Sequence, residues 1–311
     1  MATIEDWRRL TPFHTRARIS EMRITRLIAV FLAVLTLILS ACVHKTSGDS
    51  QNLTVHFIDV GQGDAILLDI GTTEVLIDGG EKDSRAADYI RPYVDEPLEA
   101  VVATHSHADH IGGLIDVLSR YKVDNVWVDG ENATTATFKS FLNTVNTGGA
   151  ILHKAERGNT IQIGNLTFVV LNPGIPPASD PNNNSIVLNL RYGDTDFIFM
   201  GDAENETEAK LLVQSVVQIP DVDILKVGHH GSMTSSSPAF LDFIKPEVAV
   251  YSAGAGNSYG HPHRQTIINL SKIGAKIYGT DVRGTVVIST NGTGYSIKTG
   301  KGAGSIIVGL R

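Results

Sequence analysis

Three histidines and one aspartate within six positions form the densest group of possible metal ligands in this 311-residue chain. They are His105, His107, Asp109 and His110. A strand that ends in such a segment directs neutral ring nitrogens and a carboxylate at one volume, and this donor set suits a divalent metal ion. A short His-rich stretch also binds metal adventitiously. However, the carboxylate, the preceding apolar run Ala100–Ala103 and the following Gly112-Gly113, taken as the start of a helix, favour a built site.

Three more polar segments follow apolar runs later in the chain. The residues in them that could bind a metal or transfer a proton are Asp202, His229, His230, His261 and His263. Each is weak evidence alone, because strands of ordinary proteins often end in an aspartate or a histidine. Together with the segment 104–113, they predict one metal site built where several strand ends meet.

The N-terminal residues have the pattern of an export signal. Arg23 and Arg26 precede the apolar stretch 27–39, and small residues follow it. A basic, an apolar and a small-residue region in this order are typical of a signal peptide. We therefore predict a targeting segment over residues 1–41, with Met22 as an alternative start of translation. An uncleaved membrane anchor and a buried structural helix are the alternative interpretations.

Cys42 is the only cysteine in the chain. The segment Leu39–Cys42 resembles a bacterial lipobox, in which the cysteine is lipidated and becomes the mature N-terminus. A single cysteine excludes intrachain disulfides and metal sites built from several cysteines. We expect a lipid anchor or an N-terminal helix to hold the rest of the chain on the cell membrane, outside the cytoplasm.

Composition and charge describe a folded, acidic body. Hydrophobic residues make up 42% and charged residues 19% of the chain, which is typical of globular proteins. Residues 1–41 contain six Arg and three acidic residues, so the remainder has 20 basic and 30 acidic residues and a net charge of −10. This charge disfavours sequence-independent binding of a phosphate backbone. We predict a polar linker over residues 42–52 and a single domain over residues 53–311.

Alternating and apolar patterns predict the elements that position the candidate residues. The predicted strands are Thr54–Asp59, Ala65–Asp69, Glu74–Asp78, Glu99–Thr104, Asn125–Val128, Thr160–Ile163, Leu166–Leu171, Ser185–Arg191, Asp196–Met200, Asp223–Val227, Glu247–Ser252, Ala275–Tyr278, Thr285–Ser289 and Tyr295–Lys298. The predicted helices are Ser84–Tyr93, Ile111–Tyr121, Glu204–Ser215, Pro238–Ile244 and Arg264–Ile273. Mostly antiparallel strands begin each half and helices alternate with strands later. This order predicts an α/β fold in which two sheets pack face to face with helices outside.

The His-x-His-x-Asp-His segment at 105–110, together with Asp202 and His230, resembles the metallo-β-lactamase-fold hydrolases. More specific segments resemble the ComEC-like branch of that family, named after the hydrolase domain of a competence protein. These segments are Asp59–Ala65, Asn184-Ser185, His229–Ser232 and Tyr259–His263. The resemblance covers nearly the whole of residues 53–300. It implies an αββα sandwich of two mixed sheets with helices outside and a metal site at the loop edge of both sheets.

The resemblance also implies a ligand set for two divalent metal ions, Zn or Mn. The implied ligands are His105 and His107 for the first ion, Asp109, His110 and His230 for the second, and Asp202 between them. The third histidine that the family usually places on the first ion is absent from the loop Asp180–Asn184, as is typical of the ComEC-like branch. Water, Asn184 or substrate would complete that site. His229 is the alternative to His230 as a ligand.

The resemblance implies hydrolysis by a metal-activated hydroxide, because two ions about 3.5–4 Å apart lower the pKa of a shared water. Asp109 is expected in the catalytic set as well as in the ligand set. His261 or His263 would give a proton to the leaving oxygen; packing or capping of a helix is the alternative role of both. Asp59 or Asp78 would orient ligand imidazoles, although Asp78 also suits a simple turn.

The segment Gln62–Asp64 is expected to form a tight loop below the site rather than to touch substrate. The function that these residues favour is a metal-dependent phosphodiesterase, and the resemblance points to a nuclease that acts on DNA outside the cytoplasmic membrane. No feature of the sequence indicates an obligate protein partner. The alternatives are an esterase for cell-envelope or small-molecule substrates, and a non-catalytic binding protein that keeps the metal as a structural element. A β-lactamase is the least favoured, because the third histidine is missing.

Overall fold

The computed structural model describes residues 51–95, 97–213, 221–301 and the backbone of Ile306–Val308. The predicted targeting segment 1–41, the predicted lipidation of Cys42 and most of the predicted linker 42–52 lie outside these residues. The last two residues of the helix predicted over Glu204–Ser215 also lie outside them.

Sixteen strands are found in the described part of the chain. In chain order they are β1 (Leu53–Phe57), β2 (Ile66–Ile70), β3 (Thr73–Ile77), β4 (Leu98–Ala103), β5 (Val123–Val128), β6 (Ile151–Lys154), β7 (Thr160–Ile163), β8 (Leu166–Asn172), β9 (Val187–Tyr192), β10 (Thr195–Phe199), β11 (Ile224–Lys226), β12 (Val248–Tyr251), β13 (Lys276–Gly279), β14 (Val286–Thr290), β15 (Tyr295–Thr299) and β16 (Ile306–Val308). The hairpin predicted around Gly193-Asp194 is present as β9 and β10.

Seven helices accompany these strands within the same described ranges. They are α1 (Ala86–Ile90), α2 (Ala108–Arg120), α3 (Ala136–Gly148), α4 (Asn205–Val213), α5 (Pro238–Ile244), α6 (Arg264–Lys272) and α7 (Thr280–Arg283). Short 3₁₀ turns occupy Pro181–Asn184 and Gly228–Gly231. Of the helices that the structure describes, none has the length and apolar character needed to cross a membrane.

The strands form two mixed sheets. One has the order β16-β15-β14-β1-β2-β3-β4-β5-β6 and the other the order β13-β12-β11-β10-β9-β8-β7. Neighbours from β3 to β6 are parallel in the first sheet, and neighbours from β10 to β13 are parallel in the second. The carboxyl ends of the parallel strands of each sheet therefore lie at one edge of it, which is where α/β sheets usually bind ligands.

Alternation along the strands builds three apolar layers. On β4, Ala100 and Val102 belong to the core between the two sheets, whereas Val101 and Ala103 belong to the core beneath α1, α2 and α3. A third core lies between the second sheet and α4, α5 and α6. A strand buried on both faces is continuously apolar, as the sequence of β4 is. The predicted arrangement of two mixed sheets with helices outside is confirmed.

Helix α2 begins at Ala108, not at the predicted Ile111. The aspartate and the last histidine of the segment 105–110 therefore lie in the first helical turn. The predicted start was wrong because it took Gly112-Gly113 as the entry to the helix, whereas the helix already begins at Ala108 and both glycines lie in its interior. These glycines permit a close approach of backbones: a Cβ on Gly113 would lie 1.9 Å from the carbonyl oxygen of Gly79.

Helix α3 and strand β6 lie in the segment 129–159, for which no element was predicted. The side chain of Thr135 accepts a hydrogen bond from the backbone N–H of Phe138 at 3.2 Å and so caps the start of α3. Gly149 follows the helix with a φ of 76°. A threonine cap and a terminal glycine are recognisable helix signals, so the sequence did contain evidence for this element.

Candidate metal centre

The candidate ligands converge because strands of both sheets end at the same edge. Asp78 follows β3, His105 follows β4, Asp202 follows β10, and the turn with His230 follows β11. The two sheets are tied together at this point, since the N–H of Ile186 donates to the carbonyl oxygen of Thr104 at 2.8 Å. The polar residues thus lie where two rows of strand ends meet.

Four side chains, three of them buried, form the centre of the cluster. They are Asp109, His110, Asp202 and His230. The Oδ2 atom of Asp202 lies 3.2 Å from Nε2 of His110 and 3.3 Å from Nε2 of His230. The same Nε2 of His230 lies 3.2 Å from Oδ2 of Asp109. Two aspartates and two imidazoles, contributed by α2, the segment after β10 and the turn after β11, therefore share one small volume.

The separations fit side chains that bind a common divalent ion. Zn–N bonds of about 2.1 Å in tetrahedral geometry place two ligand nitrogens about 3.4 Å apart. Within the described residues, the buried Nε2 atoms of His110 and His230 and the Oδ1 atom of Asp202 make no hydrogen bond of normal geometry. Because buried polar atoms usually have such a partner, we conclude that this cluster can bind metal. Imidazole and carboxylate donors suit Zn, Mn or Fe.

His105 and His107 extend the cluster on one side. Nε2 of His105 lies 3.0 Å from Nδ1 of His107 and 3.9 Å from Oδ2 of Asp202. His105 is buried, whereas His107 is partly exposed at the start of α2. Asp202 therefore lies near His105 as well as near His110 and His230, as the sequence resemblance implies for a shared ligand.

Hydrogen bonds at the second ring nitrogens orient two of the imidazoles. Nδ1 of His110 lies 2.8 Å from Oδ2 of Asp78, and Nδ1 of His230 lies 3.0 Å from the carbonyl oxygen of Ser252. Each Nδ1–H donates to an oxygen, so the lone pair of Nε2 is directed at the cluster. Asp78 is fixed in turn by the N–H and the hydroxyl of Thr104, at 2.8 and 2.7 Å.

Of the two aspartates expected to orient an imidazole, Asp78 holds that position and Asp59 does not. Oδ1 of Asp59 accepts a hydrogen bond from the N–H of Gly61 at 3.4 Å, and its Oδ2 lies 3.3 Å from Nζ of Lys301. Asp59 therefore closes the turn at the start of its loop and pairs with a lysine near the surface.

Asp64 and Lys226 form a buried ion pair next to His230. Nζ of Lys226 lies 2.6 Å from Oδ2 of Asp64, and Oδ1 of Asp64 lies 3.4 Å from Nδ1 of His230. Burial raises the pKa of Asp64, but Lys226 together with the rings of His230 and His110 outweighs this effect and lowers the pKa to about 2. This pair was not among the residues predicted from the sequence. Its signal was a lysine inside the apolar run Ile224–Val227, because a charged residue in a buried strand needs a partner.

Charges in the cluster compensate one another. Burial opposes the charged form of His110 and His230, yet the facing carboxylates raise the pKa of both rings well above the ordinary value. Burial also opposes the charged form of Asp202, but these two rings hold its pKa well below the ordinary value. His105 differs, because burial and the neighbouring His110 lower its pKa. Carboxylates that remain ionised in a buried site are suited to binding cations.

His229 and His230 adopt left-handed backbone conformations, with φ of 45° and 55°. Such conformations are uncommon for residues other than glycine and often occur at functional sites. They turn the two successive side chains in different directions. His230 is buried in the cluster, whereas His229 is partly exposed and its Nδ1 lies 2.8 Å from Oε1 of Glu204. Nε2 of His229 lies 3.8 Å from Oδ2 of Asp202, so it is adjacent to the four-residue group without being part of it.

Asn184 lies in the 3₁₀ turn Pro181–Asn184, in the loop where the third histidine of the family was expected and is absent. Its Oδ1 accepts a hydrogen bond from the N–H of Ala178 at 2.7 Å, and its Nδ2 donates to the carbonyl oxygen of Ala178 at 2.9 Å. The same Nδ2 also donates to Glu131. The amide is therefore used to hold the loop, and completion of the first metal site by Asn184 would require these bonds to break.

The two histidines expected to donate a proton have different surroundings. The ring of His261 lies 5.4 Å from that of His229 and 5.9 Å from that of His230, measured between centroids. Burial and the neighbouring rings lower the pKa of His261 to about 4. His263 directly precedes α6, and its Nδ1 accepts a hydrogen bond from the N–H of Met233 at 3.0 Å. Thus His261 adjoins the cluster, whereas His263 links two loops.

The geometry predicts unequal effects of replacing the two neighbouring histidines. Alanine at His230 should weaken Zn²⁺ binding at least about 100-fold, whereas alanine at His229 should weaken it about 10-fold or less, as expected for a residue beside the ligands. Competition with a chromophoric chelator measures both affinities. Thermal unfolding of each variant serves as the control for folding. The assignment of His230 as the ligand is contradicted if the His229 variant loses more affinity than the His230 variant.

Comparisons with known proteins agree with this geometry. The sequence profile of the family described as Metallo-beta-lactamase superfamily matches residues 58–255. The chain is 31% identical over 252 residues to ComE operon protein 3 of Bacillus subtilis (strain 168), and this alignment covers 75% of the chain and 32% of that protein. It is 30% identical over 232 residues to competence protein ComA of Neisseria gonorrhoeae, which covers 73% of the chain and 31% of that protein.

A solved structure with a similar fold is the metallo-beta-lactamase fold protein YhfI from Bacillus subtilis. It has a TM-score of 0.53 and 13% sequence identity, and the match covers 77% of this chain and 100% of that chain. At this identity the likeness concerns the fold alone. The chain spans about a third of the length of the two competence-related proteins.

Proposed function

The chain belongs to the metallo-beta-lactamase superfamily, in the branch similar to the ComEC-like competence proteins, and on this premise we propose that it is a metal-dependent phosphodiesterase that cleaves DNA outside the cytoplasmic membrane. Membership of the superfamily supports metal-dependent hydrolysis. Similarity to a protein named as a competence protein supports DNA as the substrate. The predicted export signal supports action outside the cytoplasm.

One observation carries the proposed chemistry: a buried group of imidazoles and carboxylates whose donor atoms lie within 4.8 Å of one another and face a common volume. If the metal had only a structural role, one ion with all its coordination positions filled by protein ligands would suffice. Here His105 lies 3.9 Å from Oδ2 of Asp202 and 3.0 Å from Nδ1 of His107, so these two histidines add donors next to the four-residue group. We propose that this histidine pair and the four-residue group together hold two divalent ions, Zn or Mn.

The residues that would hold these ions are His105, His107, Asp109, His110, Asp202 and His230. When bound, divalent ions at such a centre lower the pKa of a water molecule and neutralise charge on the phosphoryl oxygens. The chain supplies the remaining parts. Asp78 and the carbonyl oxygen of Ser252 fix the orientation of two ligand rings, and Oγ of Ser185 accepts a hydrogen bond from the N–H of Asp202 at 3.1 Å. Together these bonds hold the centre in place before substrate binds.

The proposal assigns proton donation to His261, because its ring adjoins both His229 and His230 and lies in the loop next to the cluster. The ring is neutral at pH 7, since its pKa is lowered to about 4. It can therefore accept a proton from the attacking water and pass it to the leaving oxygen. His263 is less suited to this role, because its Nδ1 is bonded to Met233.

Hydrolysis of a generic phosphodiester tests the function. The full chain, purified in detergent and supplied with Mn²⁺ or Zn²⁺, should hydrolyse bis(p-nitrophenyl) phosphate and lose this activity in a chelator. Single-stranded and double-stranded DNA assayed in parallel test the substrate class. A metal-loaded chain that leaves every phosphodiester intact would contradict the proposal, and cleavage of phosphomonoesters or carboxylic esters instead would favour the small-molecule esterase.

We also propose that the chain is attached to the cell membrane through a lipid on Cys42 or through the apolar segment before it. Metabolic labelling with a radioactive fatty acid tests this attachment. Labelling that disappears when Cys42 is replaced by serine supports the lipid anchor, and membrane attachment without labelling supports the uncleaved helix.

A further inference from the structure

An exposed aromatic side chain lies beside the metal centre. Tyr259 is 60% exposed, and its ring stacks on that of His261 with a centroid separation of 5.7 Å and an interplanar angle of 19°. Offset stacking at such a distance is the preferred arrangement of aromatic pairs. Because His261 in turn lies 5.9 Å from the ring of His230, Tyr259 is one ring removed from the ligand cluster.

The backbone that carries Tyr259 is held by one asparagine side chain. Oδ1 of Asn257 accepts hydrogen bonds from the N–H groups of Tyr259 and His261, at 3.1 and 3.0 Å. Its Nδ2 donates to the carbonyl oxygens of Gly254 and His261, at 2.9 and 2.5 Å. Four hydrogen bonds from one side chain fix the loop Gly254–His261, so the exposed ring is held in a defined position.

This loop is also fixed to the turn that carries His230. A Cβ on Gly231 would lie 2.7 Å from Cβ of Pro262, so the two backbones approach each other closely. The N–H of His263 donates to the carbonyl oxygen of Gly231 at 2.9 Å. The position of Tyr259 relative to the metal centre is therefore set by direct contacts between neighbouring loops.

A fixed and exposed aromatic ring beside a phosphodiesterase centre suits a planar ligand group. From this placement we infer that Tyr259, supported by His261, is a stacking platform for an unpaired nucleobase next to the cleaved phosphodiester bond. The inference rests on the proposed function and narrows it to single-stranded DNA or to frayed ends, because the bases of an intact duplex already stack on each other.

The charge of the chain supports this assignment. Residues 42–311 have a net charge of −10, which disfavours binding through the phosphate backbone alone. An acidic nuclease therefore needs attraction from another part of the nucleotide. Stacking on an aromatic side chain supplies it without regard to base identity, because every base has a π face.

Binding in the absence of metal tests the platform independently of catalysis. A fluorescently labelled oligothymidine is titrated with the full chain in detergent and chelator, and anisotropy gives the dissociation constant. Replacing Tyr259 by alanine should weaken binding at least about fivefold, whereas phenylalanine should retain it. Phe243→Ala is the matched control, because Phe243 is an exposed aromatic residue on α5. It should leave binding unchanged.

An oligonucleotide of the same length with abasic sugars separates base stacking from backbone contacts. It should bind the wild type about as weakly as oligothymidine binds the alanine variant. The inference is overturned if Tyr259→Ala binds oligothymidine like the wild type, or if the abasic strand binds as well as the normal one. Phosphodiester hydrolysis by the wild type is measured alongside. If the base-dependent binding is found but no hydrolysis is observed, the proposed function alone is contradicted. If hydrolysis is observed but binding does not depend on Tyr259 or on the bases, the stacking platform alone is contradicted.

Discussion

Replacing Asp202 by alanine should reduce hydrolysis of bis(p-nitrophenyl) phosphate by more than about 100-fold, the upper end of the effect of losing a residue that merely supports a metal ligand. Asp202 is 2% exposed, and its Oδ2 lies between 3.2 and 3.9 Å from the ring nitrogens of four histidines. In the proposed centre it is the one side chain shared by both metal positions. Its removal should therefore disrupt both positions at once, with loss of metal as well as of activity.

A matched control lies at the other end of the same strand, β10. Asp194 is exposed in the turn before β10, at the end opposite to Asp202. Asp194→Ala therefore removes a carboxylate close to β10 in sequence but leaves the ligand cluster unchanged. It should retain wild-type activity. His107→Ala should lose activity as Asp202→Ala does, because it removes a ligand from the partly exposed side. If Asp202→Ala is folded by circular dichroism and keeps more than about a tenth of the wild-type rate, the bridging role is wrong.

Replacing Lys226 by methionine should destabilise the chain by about 3–5 kcal/mol, the usual cost of removing one partner of a buried ion pair. The side chains of Lys226 and Asp64 are 0% and 1% exposed, so the remaining carboxylate has no access to bulk water. Methionine keeps most of the volume of lysine, and the effect should therefore reflect charge rather than a cavity. Urea unfolding at pH 7 in the presence of a chelator measures it.

Two further variants distinguish the effect of the buried charge on stability from the effect of side-chain packing. Lys226→Met combined with Asp64→Asn removes both charges and should recover much of the lost stability, because no unpaired charge stays buried. Lys122→Met breaks the pair between Lys122 and Asp124, in which the lysine side chain is 69% exposed, and it should cost less than about 1 kcal/mol. Equal losses for the buried and the exposed lysine would show that the buried pair contributes no more than a surface pair.

The sequence predicted most of the fold because the strands are either continuously apolar or alternating. The run that forms β4 is apolar on both faces, and its two faces do belong to two different cores. The candidate ligands were also recognisable, because each follows such a run. What the pattern could not supply was the start of α2. In that helix Gly113 permits a close approach to Gly79 and Gly112 a close approach to Glu81 and Lys82, and nothing local distinguishes such glycines from those that begin a helix.

The partners of the ligand residues were harder to predict than the ligands themselves. Asp59 and Asp64 lie in one short loop, and only the structure shows that Asp64 is the one beside His230. Its ion pair with Lys226 joins the two sheets and depends on the packing of one sheet on the other. Sequence patterns report periodicity within an element, whereas such contacts depend on how elements meet. Asn257 is a similar case, since its four hydrogen bonds lie within a loop that has no periodic pattern.

The number of metal ions bound per chain is the sharpest test of a metal centre built around Asp202. The full chain is dialysed against Zn²⁺ or Mn²⁺, freed of loosely bound metal on a desalting column and analysed by inductively coupled plasma mass spectrometry. We predict two ions per wild-type chain and fewer than one per Asp202→Ala chain. Wild-type protein that is folded yet retains no ion, or that retains the same number as Asp202→Ala, would contradict a metal centre built around Asp202.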